Sequence, residues 1–171
     1  GSGGITLMRT AMETGAFSTF LGADGMLAQE VIDQLGAENL TNATFTTSTS
    51  DESTPGYAAW SALAAAADLN PLGPFVPNSY DAAFMMALAI EKAGSANRDL
   101  IAGALRAIGN GSGEVILPGE WAKAKKIIAA GGDINYNGGS GPQDFDANGD
   151  VAGDFSASVV KDGVWVGKII K

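Results

Sequence analysis

The chain has 171 residues, 46% of them hydrophobic and 17% charged, which is ample material for a core and excludes global disorder. A net charge of −9 and a pI near 4.3 argue against nucleic acid or an anionic membrane surface as partner, since neither would attract this field. With no cysteine and no histidine, disulfides, thiolate chemistry and the common nucleophile-base pairs are out of reach.

The opening Gly1-Ser2-Gly3-Gly4 has neither the basic nor the apolar region of a secretory signal. No apolar run reaches the ~18 residues of a membrane-spanning helix. Ile5, Met8 and Met12 recur on one helical face, and Gly15 ends that helix. The short apolar run around Phe20 and Leu21 reads as a buried strand, so a helix feeds a strand, which is half of a βαβ unit. Val31, Ile32 and Leu35 mark a second helix stopped by Gly36, and Thr44 to Thr47 alternate weakly as a strand.

The polar tract from Ser48 to Pro55 is a loop before a helix carrying Trp60, Leu63, Ala64 and Ala67 on one face. Pro71, Pro74 and Pro77 make the next segment irregular and place a boundary or crossing there. A helix from Ser79 to Ala93 is apolar nearly all round, which predicts a central element buried on several sides. Leu100 to Ile108 form an amphipathic peripheral helix that stops at Gly109-Asn110-Gly111. A strand is predicted over 114–117 and a helix over 120–130, with Trp121, Ala124 and Ile128 inward and Lys123, Lys125 and Lys126 on the solvated side. Residues 131 to 144 read as loop, Ala147 to Gly149 as a turn, and 155–160 with 164–169 as a terminal hairpin turning at Asp162-Gly163.

Thr19-Phe20-Leu21-Gly22-Ala23-Asp24-Gly25-Met26 sets one acid between small residues at a strand end. The backbone can approach a small molecule closely there. By residue type Asp24 suits two roles: an anionic acceptor for an ammonium, or a turn or cap residue for the helix near Ala28. Asp144-x-Asp146-x-Asn148-Gly149 imitates the first half of an EF-hand loop, but its twelfth position is Phe155 rather than a bidentate Glu. No metal or other cofactor is expected. No glycine-rich phosphate loop is present and no spacing brings carboxylates together, so an enzyme is not expected. The sequons at Asn39, Asn42 and Asn110 carry meaning only in a eukaryotic secretory setting.

Taken in order, the Gly-x-Asp-Gly-Met turn, the helix opening Tyr80-Asp81-Ala82, the Gly119-Glu120-Trp121 helix and the Gly141-Pro142-x-Asp144-Phe145-Asp146-x-x-Gly149-Asp150 hairpin resemble one family. They match the C-terminal half of a type 1 periplasmic solute-binding protein, of the branched-chain amino-acid ABC-transporter receptors. The resemblance implies an α/β fold of two lobes, with parallel sheets flanked by helices and a C-terminal β-hairpin, whose N-terminal half has no counterpart in this chain. It further implies that residues 1–72 belong to the C-terminal lobe, 73–154 to the N-terminal lobe after a hinge crossing, and 155–171 to strands returning to the first. Asp24, flanked by Ala23 and Gly25, would bind the ligand ammonium, and Phe75 would line the pocket for its apolar side chain. Tyr80 would anchor its helix. The implied partners are a small α-amino acid held in a cleft between lobes, the missing N-terminal half as a companion chain, and an ABC permease in the membrane; the implied location of the chain itself is the periplasm. Ligand-sensing receptors for amides or urea share the fold, and a packing fragment that binds nothing is the remaining alternative.

Overall fold

The computed structural model describes residues 2–170. The chain divides into two compact units, Gly1–Thr49 with Asp154–Lys171, and Ser50–Gly153. In chain order the first unit supplies α1 (Ser2–Glu13), β1 (Phe20–Ala23), α2 (Gln29–Leu35) and β2 (Ala43–Thr49). The second contributes α3 (Pro55–Ala66), α4 (Val76–Ala93), α5 (Arg98–Gly109), β3 (Glu114–Ile116), α6 (Trp121–Ala129), β4 (Ile134–Gly138) and the short β5 (Gly141–Pro142). The chain then returns to the first unit as β6 (Asp154–Lys161) and β7 (Val164–Ile170).

The first unit is a four-stranded sheet in the order β1-β2-β6-β7. β1 and β2 run parallel, while β6 is antiparallel to both β2 and β7. Ile5 and Met8 of α1 pack with Val31, Ile32 and Leu35 of α2 over Ala43 and Phe45 of β2. Trp165 meets Phe45 edge-on, with ring centroids 5.3 Å apart. Asp162 and Gly163 both take positive φ, 51° and 78°, which is the two-residue turn their sequence predicts.

One expectation fails here. β1 is not buried, because the helices cover only the face that carries Phe20 and Gly22, and alternation turns Leu21 to the other, where it is 81% exposed. The strand register puts Val159 and Val166 on that same open face, and both are exposed. Among the described residues β1 pairs only with β2.

The second unit surrounds a three-stranded sheet, β3-β4-β5, in which β3 and β4 are parallel and β5 is antiparallel to β4. Its core joins Met85, Leu88 and Ala89 of α4 to Ala104 and Ile108 of α5, with Ile116, Ala124, Ile134 and Tyr136. Tyr57, Trp60 and Ala64 of α3 form a second cluster with Val76 and Tyr80. α4 begins before the predicted Ser79 because Pro77 suits a first helical turn, where its missing N–H is no loss. Nor is α4 buried all round: Asp81, Met85, Leu88 and Ala89 face inward while Met86 and Ile90 are exposed.

The compact units part at Thr49/Ser50, well before the boundary drawn at 72/73. The proline tract is tied to α3 instead, since Trp60 Nε1 donates to the Pro71 carbonyl at 3.0 Å. The chain re-enters the first unit at Asp154. β4 lies inside the tract read as loop, and its alternating burial at Ile134, Tyr136 and Gly138 makes it the centre of the second sheet.

The first turn of α3 touches β4 through Gly56, where a Cβ would run into the carbonyl oxygen of Gly138 and come within 3.0 Å of that of Asn137. Gly56→Ala is therefore expected to cost about 1–3 kcal/mol by overpacking against rigid backbone. Urea denaturation followed by circular dichroism measures it, and an unchanged midpoint would mean that α3 withdraws freely from β4.

Candidate functional site

Asp24 begins where the parallel strand β1 ends. Ala23 is still extended (φ −112°, ψ 179°), and Asp24–Met26 form one 3-10 turn in which Leu27 N–H donates to the Asp24 carbonyl at 3.0 Å. The carboxyl edge of a parallel pair is where open α/β sheets place ligands. Ala23 and Gly25 are exposed and Asp24 half-buried, and a Cβ built at Gly25 would meet nothing within 4 Å. Asp24 does not cap the next helix: the N-cap of α2 is Ala28, and no side chain caps it.

Phe75 lies in the second unit, as the N-cap of α4 in a left-handed conformation (φ 59°, ψ 7°). It borders a hollow of about 380 Å3 lined by Trp60, Leu69, Pro74, Val76, Ser79 and Tyr80 as well. Tyr80 ties its helix into the unit. Its ring lies 5.0 Å from Trp60 and is stacked on Phe84 at 5.6 Å, and its hydroxyl accepts from Gly119 N–H at 2.9 Å. Burial raises the Tyr80 hydroxyl above the usual phenol range.

The Asp144–Asp150 segment is a turn held by its own carboxylate. Asp146 Oδ1 accepts from the backbone N–H of Asn148, Gly149 and Asp150 at 2.8 to 2.9 Å, and Phe145 bridges Val151 across the turn. Gly149 supplies the positive φ of 98° that closes it. These bonds, led by that from Asp150, hold the Asp146 carboxyl below the usual carboxylate range. The described residues contain no group of three or more acidic side chains arranged to hold a metal.

Sequence reading missed a polar cluster centred on Asp81, whose side chain is 1% exposed. Oδ1 accepts from Tyr136 Oη at 2.7 Å and Gly139 N–H at 3.0 Å, and Oδ2 accepts from Ser140 N–H at 2.7 Å and its hydroxyl at 2.6 Å. The signal was present in Tyr136, an aromatic two residues from the inward-facing Ile134, but two asparagines and the surrounding glycines hid the strand. Burial, with Asp81 adding to it, pushes the Tyr136 hydroxyl far above its ordinary range. A second pocket of about 330 Å3, bordered by Thr54, Gly56, Val115, Leu117, Gly138 and Pro142, contains none of the predicted site residues.

Helix-flanked α/β sheets with parallel pairs are the arrangement of the type 1 periplasmic solute-binding fold, present here in part. Residues 4–158 match the model of the receptor family ligand-binding region. The chain belongs to that family. It aligns with 97% of its length on the leucine-binding protein LivK of Thermotoga maritima, at 26% identity and a TM-score of 0.64, covering 41% of that protein. LivJ of Streptococcus pneumoniae, a branched-chain amino-acid transporter substrate-binding protein solved with isoleucine, has the same fold (TM-score 0.59, 18% identity, 97% of this chain and 41% of that one). The chemotactic signal-transduction substrate-binding protein BasB of Halobacterium salinarum is 39% identical over 83 residues, which are 48% of this chain and 20% of that protein. This chain thus spans well under half the length of these relatives, all named as binding proteins.

The Tyr136–Asp81 bond gives a stability test with a defined sign. Tyr136 holds its proton more tightly folded than unfolded, where its pKa is the ordinary 10.0, so the stabilisation is complete below that pH and is lost as pH rises above it. Tyr136→Phe should cost about 1.5–3 kcal/mol at neutral pH, the range for a hydrogen bond to a charged group. It should also flatten the fall in denaturation midpoint above that pH. Equal alkaline slopes in both proteins would exclude the bond as the cause.

Proposed function

We propose that this chain is part of the extracytoplasmic substrate-binding component of an amino-acid ABC transporter, taking a small α-amino acid of branched-chain or similar type for delivery to a membrane permease. The observation that carries this reading is the Asp24 carboxylate, offered from an open turn at the carboxyl edge of β1 in a member of this receptor family. An ammonium is the ligand group such an acceptor suits, because a charge-assisted bond away from bulk water gains more than a surface ion pair. Phe75 is assigned to the apolar side chain of the ligand. None of the described helices is long and apolar enough to cross a membrane.

A companion segment corresponding to the N-terminal half of the relatives completes this reading. Two features of the first unit support it: β1 has an unpaired edge among the described residues, and the face bearing Leu21, Val159 and Val166 is uncovered. Sheets with parallel pairs are normally covered on both sides. α1 and α2 share one face, and right-handed crossovers on one face advance in one direction, so a parallel strand feeding α1 would add beside β1 on the side away from β2. The likeness to BasB favours a second use of the same binding step, chemotactic sensing. Loss of the gene would then abolish taxis toward the amino acid, whereas transport predicts loss of its uptake.

Amide chemical shifts of the 15N-labelled chain, titrated with leucine and with 4-methylpentanoate, which lacks the ammonium, test the role of Asp24. Ala23, Asp24 and Gly25 are expected to move with leucine only, and Asp24→Asn should weaken the response about tenfold or more, as for a lost charge-assisted bond. Equal shifts with both compounds would reject the ammonium site.

A further inference from the structure

We propose that a second copy of this chain docks on the unpaired edge of β7, antiparallel and with the two-fold axis at Gly167, so that two four-stranded sheets join into one. The pairing involves the first unit alone and is independent of any ligand.

β7 is an outer strand of its sheet, and among the described residues it pairs only with β6. The two residues that flank a two-residue turn exchange both of their backbone bonds. Lys161–Val164 and every second pair after it, Val159–Val166, Ala157–Lys168 and Phe155–Ile170, therefore turn their N–H and C=O groups into the hairpin. Those of Trp165, Gly167 and Ile169 point the other way, to the open side. Outer strands escape pairing when they are short, bulged, interrupted by proline or lined with charge. β7 has seven residues and no proline, and its register runs without a break from Val164 to Ile170. Five of the seven are valine, isoleucine or tryptophan, all strand-favouring, and Lys168 is its one charged residue.

The strand reads nearly alike in both directions from Gly167, which makes a second copy its natural partner. An antiparallel copy centred there sets Trp165 opposite the copy's Ile169 on the helix-covered face and Val164 opposite its Ile170 on the other. Aromatic and branched side chains opposed in this way stabilise neighbouring strands. Val166 meets the copy's Lys168, whose methylene stem can cover it. Parallel pairing in register would set Lys168 against Lys168, so this one charge selects the antiparallel arrangement. Gly167 is exposed and has no side chain to hold the two backbones apart at the axis. Charge favours this edge as well: a net −9 keeps copies apart in general, but along 154–170 Asp154 and Asp162 are balanced by Lys161 and Lys168. Pairing of like with like uses the edge up, so assembly closes at the dimer. β1 lies at the other border of the sheet, and its edge and the Asp24 turn are not used.

Sedimentation equilibrium of the chain and of Val166→Glu and Val166→Lys tests the pairing. Val166 is exposed on the face that the helices leave open, so both substitutions spare the core. Glutamate opposite the copy's Lys168 should tighten the dimer about two- to thirtyfold, because each dimer contains two such pairs, and lysine should weaken it by a similar factor. Association through the open sheet face would be weakened by either charge, and association through β1 would respond to neither. Each of those results would overturn the proposal, as would a native chain that stays monomeric at millimolar concentration. Amide hydrogen exchange of the unmodified chain gives a reading that does not depend on the variants folding. Protection at Trp165, Gly167 and Ile169 should rise with protein concentration, while that at Val164, Val166 and Lys168, already bonded to β6, should not. Exchange at the first three that is independent of concentration would overturn the proposal.

Discussion

A buried carboxylate is tolerated only when hydrogen bonds replace the water it has lost, and the second unit is arranged to meet that demand at Asp81. Tyr136 reaches it from the middle of β4, and Gly139 and Ser140 reach it from the turn that follows. One side chain of α4 therefore fixes both the register of β4 and the path into β5. The glycines of that turn are needed for contact: a Cβ at Gly138 would collide with the Asp81 carboxylate, and one at Gly139 would meet Trp60 of α3 within 2.6 Å. Helices α3 and α4 come together through the same short stretch, and Phe75 at the head of α4 takes its position from it.

The elements legible in the sequence were those whose apolar spacing was unambiguous. α1, α2, α5 and α6 follow the faces read from Ile5 and Met8, Val31 and Ile32, Leu105 and Ile108, and Ala124, and the terminal hairpin follows Asp162-Gly163. β4 was not legible because two of its five residues are asparagine, which disfavours strands, and because its stabilisation comes from Asp81, a residue distant in sequence. Apolar content also misled. The strand at Phe20-Leu21 and the helix around Met86 and Ile90 have apolar residues on faces that lack cover among the described residues, so composition overstated their burial.

The candidate site was legible to different depths at its two places. Asp24 could be singled out because an acid among Gly22, Ala23 and Gly25 follows a strand, and local pattern alone reaches that far. Its exclusion as a cap of α2 needed the structure, which starts that helix after Ala28 with no side-chain bond. Phe75 was picked through family likeness, and nothing in its neighbours foretold the left-handed backbone, because Asn70 to Pro77 gives no periodicity to read. The Asp144–Asp150 motif shows the reverse limit. Its spacing mimics a cation loop, yet one oxygen of Asp146 already accepts three backbone N–H groups and so serves the turn.

Parallel pairing in the first unit explains why its acid lies where it does. β1 and β2 run the same way, so both end at one edge of the sheet, and Asp24 follows the first while Thr49, the last residue of the unit's leading segment, closes the second. β6 is antiparallel to β2 and begins at Asp154 opposite Thr49, so the returning chain enters at that edge too. Two independent constraints, the crossover that makes β1 and β2 parallel and the antiparallel return of β6, thus gather the acid, the exit and the re-entry of the chain along a single edge. The opposite edge carries the Asp162-Gly163 turn and the start of β1, and neither the acid nor a chain crossing lies there. A ligand group held by Asp24 would therefore sit at the edge from which the chain leaves the unit and to which it returns, placed there by strand direction alone.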